Sequence, residues 1–188
     1  NHPMTPEDLK GKRIAIPGRM TTAFLTLSIF QPDFIPVEVP FDKILDVVKD
    51  GAADAGLVIH EAQLTYARGG FHQIIDLGKW WKKTQGMPLP LGCNILRRDL
   101  APEIRTECCR LMRESIQYAL DNHEEALTYA MQFARDMEAD LATKFVGMYV
   151  NHYTVDAGEL IPRAAQQLLD MGHDIGLIPN RVQLEFIR

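Results

Sequence analysis

Arg13-Ile14-Ala15-Ile16-Pro17-Gly18-Arg19-Met20-Thr21-Thr22-Ala23 is the stretch that sets the fold class. A short apolar run stops at Pro17-Gly18, as a buried strand does. Thr21-Thr22 then opens an apolar segment, residues 23–30, that suits a helix. The same alternation recurs downstream and is the signature of α/β construction. Val37-Glu38-Val39 reads as a second strand. Residues 41–49, apolar at 41, 44, 45, 47 and 48, read as a short helix closed by Gly51. Residues 55–59 read as a third strand, 61–67 as a helix ending at Gly69-Gly70, and 73–77 as a fourth strand. Residues 78–84 supply one or two helical turns carrying Trp80 and Trp81. A Pro-punctuated turn follows at 86–90, then a strand-like run at 91–96.

Beyond Pro102 the apolar period changes to that of helices. Residues 104–120, 124–134, 138–150 and 157–171 all carry it, and a weak strand, 182–187, closes the chain. An α/β half therefore precedes a mostly helical half. Those helices need a partner surface, and one late strand cannot make a sheet alone. The composition would make sense if the helical half packed on a sheet built by residues upstream of Asn1.

Composition narrows the classes. The 188 residues are 46% hydrophobic and carry a formal net charge of −5, which suits a globular protein with a core of its own. Mild acidity without a Lys/Arg stripe argues against nucleic acid as a partner. No apolar run approaches the ~20 residues that span a bilayer, so no membrane partner is expected. Cys93, Cys108 and Cys109 form no CxxC pattern and no metal-ligating spacing; so few cysteines fit a reducing compartment. The chain opens Asn1-His2-Pro3-Met4, without an initiator Met, so a fragment or processed product is expected, and export is not judged from this end.

Asp54-Ala55-Gly56-Leu57-Val58-Ile59-His60-Glu61 carries the clearest chemical signal. A buried strand that stops at an ionisable residue delivers it to the sheet rim, where open α/β folds bind ligands. Histidine is suited to proton transfer near neutrality; the plain alternative is a structural His. Glu61 is adjacent to it and faces another way on a starting helix, so the two are no dyad. No HExxH is present, since Leu64 stands four residues after His60. In Gly18, Thr21, Thr22 and Ala23, a Gly and two hydroxyls lie where a helix begins. The helix dipole and open N–H groups there suit a carboxylate or phosphate, and ordinary Thr capping is the competing reading. There is no Walker loop and no Ser/His/Asp elbow. Trp80-Trp81 reads as core filling before the wall of an aromatic cleft, Arg97-Arg98-Asp99 as surface pairing before a carboxylate clamp, and the cluster Tyr149, Asn151, His152, Tyr153 as capping.

Several stretches together resemble one family. Ala-Gly-Leu-Val-Ile-His-Glu-Ala-Gln-Leu-Thr-Tyr at 55–66, Asp-Leu-Gly-Lys-Trp-Trp at 76–81 and Gly-Met-Pro-Leu-Pro-Leu-Gly-Cys-Asn-Ile-Leu-Arg-Arg-Asp-Leu at 86–100 resemble 1,4-dihydroxy-6-naphthoate synthase of the futalosine route to menaquinone. Pro-Gly-Arg-Met-Thr-Thr-Ala at 17–23 and Tyr-Val-Asn-His-Tyr-Thr-Val-Asp at 149–156 agree in order and spacing. The Pro-Leu-Pro-Leu-Gly-x-Asn and Arg-Arg-Asp-Leu string separates this branch from chorismate dehydratase, which shares the fold.

The resemblance implies a two-lobed fold like the periplasmic binding proteins, with a substrate cleft between lobes. It implies conversion of a small-molecule substrate, cyclic dehypoxanthine futalosine, to 1,4-dihydroxy-6-naphthoate with loss of a sugar-derived fragment, in the cytoplasm and with no metal or organic cofactor. His60 falls where the family has its base, and Thr22 and Ala23 where it binds substrate oxygens. The family also carries a further N-terminal stretch. Residues 12–92 would then be a complete second lobe with a mixed sheet, and 93–188 the mostly helical part of an incomplete first lobe. An incomplete lobe would expose apolar surface that a homo-oligomer could cover. Two alternatives stay open: a solute-binding module of the same fold without catalysis, and a chorismate dehydratase-like enzyme.

Overall fold

A computed structural model describes residues 3–133 and 138–187. The end of the expected helix 124–134, at Ala134, lies outside the described residues, as do Asn1, His2 and Arg188. The chain divides into two compact units, one of residues 1–92 with 164–183 and one of residues 93–163 with 184–188.

The first unit is α/β. Its strands are β1 (Arg13–Ile16), β2 (Ile35–Glu38) and β3 (Ala55–Gly56), paired in parallel in the order β2-β1-β3. Its helices are α1 (Thr22–Phe30), α2 (Ile44–Lys49), α3 (Ala62–Thr65) and α4 (Leu77–Gln85). Being central and parallel, β1 is covered on both faces, which is why Ile14, Ala15 and Ile16 are all buried. Alternation along the strand then sorts them. Ile14 and Ile16 join Phe24 and Leu27 of α1, with Leu9 and Ala55. Ala15 joins Ile44 and Val48 of α2, with Ala53. Helices thus lie on opposite faces of the sheet. Gly56 lets α2 come close: a Cβ there would stand 2.6 Å from Ile44 Cγ2 and 3.1 Å from Val48 Cγ2.

Trp81 of α4 is fully buried and fills core, while Trp80 is partly buried and meets Phe30 edge-on with ring centroids 5.2 Å apart. The Asp76 carboxylate accepts from Lys79 N at 2.9 Å and caps α4.

The second unit is helical. It contains α5 (Pro102–Asp121), α6 (His123–Met131), α7 (Ala139–Tyr149) and α8 (His152–Val155), and α9 (Leu160–Asp174) starts in it. From Ala164 onward α9 belongs to the first unit, where Ala164 and Leu168 are buried and a Cβ on Gly172 would stand 2.7 Å from Leu25 Cδ1 of α1. Among the described residues of the second unit only Ala142 is buried, whereas Leu111, Tyr118, Tyr129 and Phe133 are exposed. No helix among the described residues is long and apolar enough to cross a membrane.

Several expectations are corrected. Residues 73–77, 91–96 and 182–187 form no strand. An apolar run signals burial, but a strand also needs a ladder partner, and these runs have none among the described residues. Ile95 is 86% exposed, so its run is not even buried. The second strand lies at 35–38 and the third shrinks to two residues. The expected mixed sheet is parallel in every pairing described. Residues 41–49 begin as a 3-10 turn (Phe41–Lys43) before α2. The last long helix starts at Leu160, after the separate short α8.

Candidate active site

Because all three strands run the same way, the segments after Ile16, Glu38 and Gly56 emerge at one edge of the sheet. The chain passes from β1 to β2 on one side and then to β3 on the other, so the strand order reverses at β1. Open α/β sheets bind ligands beyond the strand C-terminal ends at such a reversal. The two segments that flank it are the turn into α1 and the turn that carries His60.

The first turn is built by Gly18 and Thr21. Gly18 has φ +139°, a backbone that side chains rarely adopt. A Cβ there would meet Glu38 Oε1 and Thr21 Cγ2 at ordinary contact distances, so conformation, not space, selects glycine. The Thr21 hydroxyl donates to Gly18 O at 2.8 Å and accepts from Phe24 N at 3.1 Å, which makes it the N-cap of α1. The Thr22 hydroxyl donates to Leu91 O at 3.0 Å. Both hydroxyl protons are therefore committed within the fold. The donors that the helix start offers outward are the N–H groups of Thr22 and Ala23, which no intrahelical carbonyl can take. Capping uses the Thr21 hydroxyl and not those two N–H groups, so the cap does not exclude the competing reading of the sequence.

The second turn carries His60. Leu57 N donates to Ala15 O at 2.8 Å, and the chain then leaves the sheet. His60 is exposed and has φ +55°, the one described non-glycine residue in the left-handed region. Such a conformation costs on the order of 1–2 kcal/mol for an L residue and concentrates at functional sites. The His60 imidazole meets the Phe41 ring with centroids 4.6 Å apart. Its carbonyl accepts from the Gln63 backbone and side-chain amides at 3.2 Å each.

Three neighbours escaped the sequence reading. Glu38 ends β2 at the same edge, and its Oε2 lies 3.8 Å from Arg19 Nε; the Arg19 guanidinium in turn stands 5.7 Å from the centre of the Phe24 ring. Phe41 follows β2. Glu38 is the last residue of β2, whereas the expected strand ran on to Val39, so the strand-end rule passed it over. Nothing in the sequence pattern marks Phe41.

At the opposite edge Arg13 is bound to the segment before β3. Its guanidinium donates to Ala52 O at 2.9 Å, Gly51 O at 3.0 Å and Asp54 Oδ1 at 3.0 Å, and its backbone N–H donates to Asp54 Oδ2. Those hydrogen bonds hold the Asp54 carboxyl below the usual carboxylate range. A surface cavity of about 430 Å³ opens beside them, lined by Asp8, Lys12, Val48 and Asp54 among others. It faces away from the strand C-terminal ends, and Asp8 there is engaged by Thr5. In the second unit Arg97 pairs with Asp99 and Arg98 with Glu185, while Asn151 Oδ1 accepts from Tyr153 N at 3.0 Å to cap α8. Among the described residues no three His, Cys, Asp or Glu side chains are grouped as metal ligands would be.

The fold defines an α/β protein in which the turn carrying His60 and the turn into α1 both follow strand C-terminal ends at one edge of a parallel sheet. Comparison with known proteins places the chain in a family. The sequence profile of the family described as menaquinone biosynthesis matches residues 2–174. The chain is 42% identical over 169 residues to a 1,4-dihydroxy-6-naphthoate synthase of Thermus thermophilus, covering 90% of this chain and 62% of the relative. It is 38% identical over 178 residues to the enzyme of that name from Streptomyces coelicolor, covering 92% and 63%. A crystal structure of an Archaeoglobus fulgidus protein, 46% identical, superposes with a TM-score of 0.88 over 94% of this chain and 66% of the other. The chain belongs to the menaquinone-biosynthesis family, and it spans somewhat under two thirds of the length of the curated relatives it matches.

Proposed function

We propose that this chain carries the catalytic edge of a 1,4-dihydroxy-6-naphthoate synthase, acting on cyclic dehypoxanthine futalosine. The observation that carries the reading is His60. It is exposed, held in a left-handed backbone, and placed in the turn four residues beyond β3, which pairs with the strand that feeds α1. In this reading His60 takes a proton next to a carbonyl. The electron pair left behind becomes a ring double bond, the carbon–carbon bond to the sugar-derived fragment breaks with its electrons leaving on the fragment, and that fragment takes up the proton from the His60 imidazolium; aromatisation to the naphthol drives the step. Gly18 and Thr21 shape the turn, and the N–H groups of Thr22 and Ala23 receive the substrate's carboxylate or hydroxyl oxygens. No metal or organic cofactor enters this chemistry.

The finer fold assignment belongs to the same proposal: a two-lobed fold like the periplasmic binding proteins, with residues 12–92 as the second lobe and 93–188 as part of the first. The grouping of all three strands within residues 1–92 supports it. A cytoplasmic location suits a biosynthetic enzyme whose three cysteines are unpaired.

The test supplies cyclic dehypoxanthine futalosine and, separately, chorismate to this chain and to a chain extended to the relatives' length, following naphthoate absorbance. Naphthoate formed from the futalosine compound supports the proposal. Turnover of chorismate instead would assign a dehydratase, and binding without turnover in either chain would assign a solute-binding module.

A further inference from the structure

We infer that Phe41 is a positioning residue for His60, setting the direction in which the imidazole faces the substrate; this deepens, and rests on, the reading of His60 as the base. Phe41 and His60 follow β2 and β3, the two strands that flank β1. Two strand spacings of about 4.8 Å separate those strands at the sheet. The ring centroids nevertheless stand 4.6 Å apart, with planes inclined at 48°. The pair therefore spans the C-terminal end of β1, next to the turn into α1.

Packing alone does not explain this phenylalanine. It belongs to neither apolar cluster of the first unit and remains 38% exposed. Its place is nonetheless well determined. Val39 N donates to Ile16 O at 3.1 Å, Pro40 has φ −52°, and Lys43 N donates to Pro40 O at 2.9 Å. A rigid segment thus presents a flat ring to an exposed imidazole. An exposed histidine samples several rotamers. A ring contact removes the unproductive ones and needs neither imidazole nitrogen to do so. The left-handed backbone of His60 fixes where the side chain leaves the main chain, and Phe41 restricts where it goes.

The test compares Phe41→Leu, Phe41→Ala and Phe41→Trp in a chain whose parent turns over substrate. Phe41→Leu and Phe41→Ala are expected to lower kcat about ten- to a hundredfold with KM nearly unchanged, since misplacing a reacting group acts on the chemical step. Phe41→Trp, which keeps a flat ring, is expected to restore most of kcat. Carbon–proton NMR spectra of the His60 ring, assigned through His60→Ala, give a readout independent of activity. The ring-current displacement of its Cδ2 and Cε1 protons should vanish in Phe41→Leu and persist in Phe41→Trp. A Phe41→Leu chain that loses this displacement yet keeps the parental kcat would overturn the inference. So would a Phe41→Trp chain that keeps the displacement and remains slow. Failure of the underlying reading shows separately, as a parent for which His60→Ala costs no activity, and the inference falls with it.

Discussion

His60 has φ +55°, and that angle separates stability from function at a single position. Glycine accepts such a backbone freely, although it adds entropy to the unfolded chain. His60→Gly should therefore unfold within about 1 kcal/mol of the parent in urea, while losing turnover by ~10²–10⁴, the usual contribution of a general base. A β-branched replacement resists the left-handed region, so His60→Val should lose an additional ~1–2 kcal/mol. Equal stability of the Gly and Val variants would show that the residue carries no backbone strain. This residue was legible in the sequence because an apolar run ends abruptly on it. Phe41 was not, since a contact between residues 41 and 60 arises only when β2 and β3 take their places beside β1.

Among elements, α1 and β3 each depend on a small group. The Thr21 hydroxyl holds both the Gly18 carbonyl and the Phe24 amide. Thr21→Ala should cost ~1 kcal/mol, with Thr21→Ser recovering most of it, as read from chemical unfolding. Gly56→Ala drives a methyl group into Ile44 and Val48 of α2, and overpacking of this kind typically costs ~1–3 kcal/mol. A melting temperature unchanged in Gly56→Ala would mean that α2 is free to retreat from the sheet. The sequence displayed β1 and α1 clearly, because Pro17-Gly18 punctuates a run that is apolar on both faces. It misread 73–77, 91–96 and 182–187 for a physical reason. Hydrophobic pattern reports burial, whereas a strand exists through its partner. Residue 76 shows the difference: within an expected strand, Asp76 instead caps the helix that follows.

Across the whole chain, burial is uneven. The first unit contains both apolar clusters, and among the described residues of the second only Ala142 is buried. Amides of β1 should thus exchange with solvent far more slowly than those of α5 and α6, because local opening scales with the contacts it breaks. Comparable protection in both units would contradict this reading. The first unit also carries a pH dependence. Arg13 holds the Asp54 carboxyl below its usual range, so the carboxylate contributes stability that is fully present above the unfolded value near pH ~4 and is lost as pH falls toward the folded value. Asp54→Asn should flatten the acid limb of the urea midpoint against pH below ~4, only modestly because the pair is partly exposed to solvent. An acid limb as steep as the parent's would assign it to other carboxylates. The α/β class was readable from the alternation of runs in the first half. The return of residues 164–183 to the first unit was not, because it depends on a close approach at Gly172 that no periodicity encodes.

The proposed naphthoate-forming reaction stands on His60 as its base. It is tested most directly by kcat for His60→Ala beside calorimetric binding of cyclic dehypoxanthine futalosine to the same variant, in a chain whose parent is active. The expected result is kcat lower by ~10²–10⁴ with binding within a few-fold of the parent. Parental kcat in His60→Ala would contradict it.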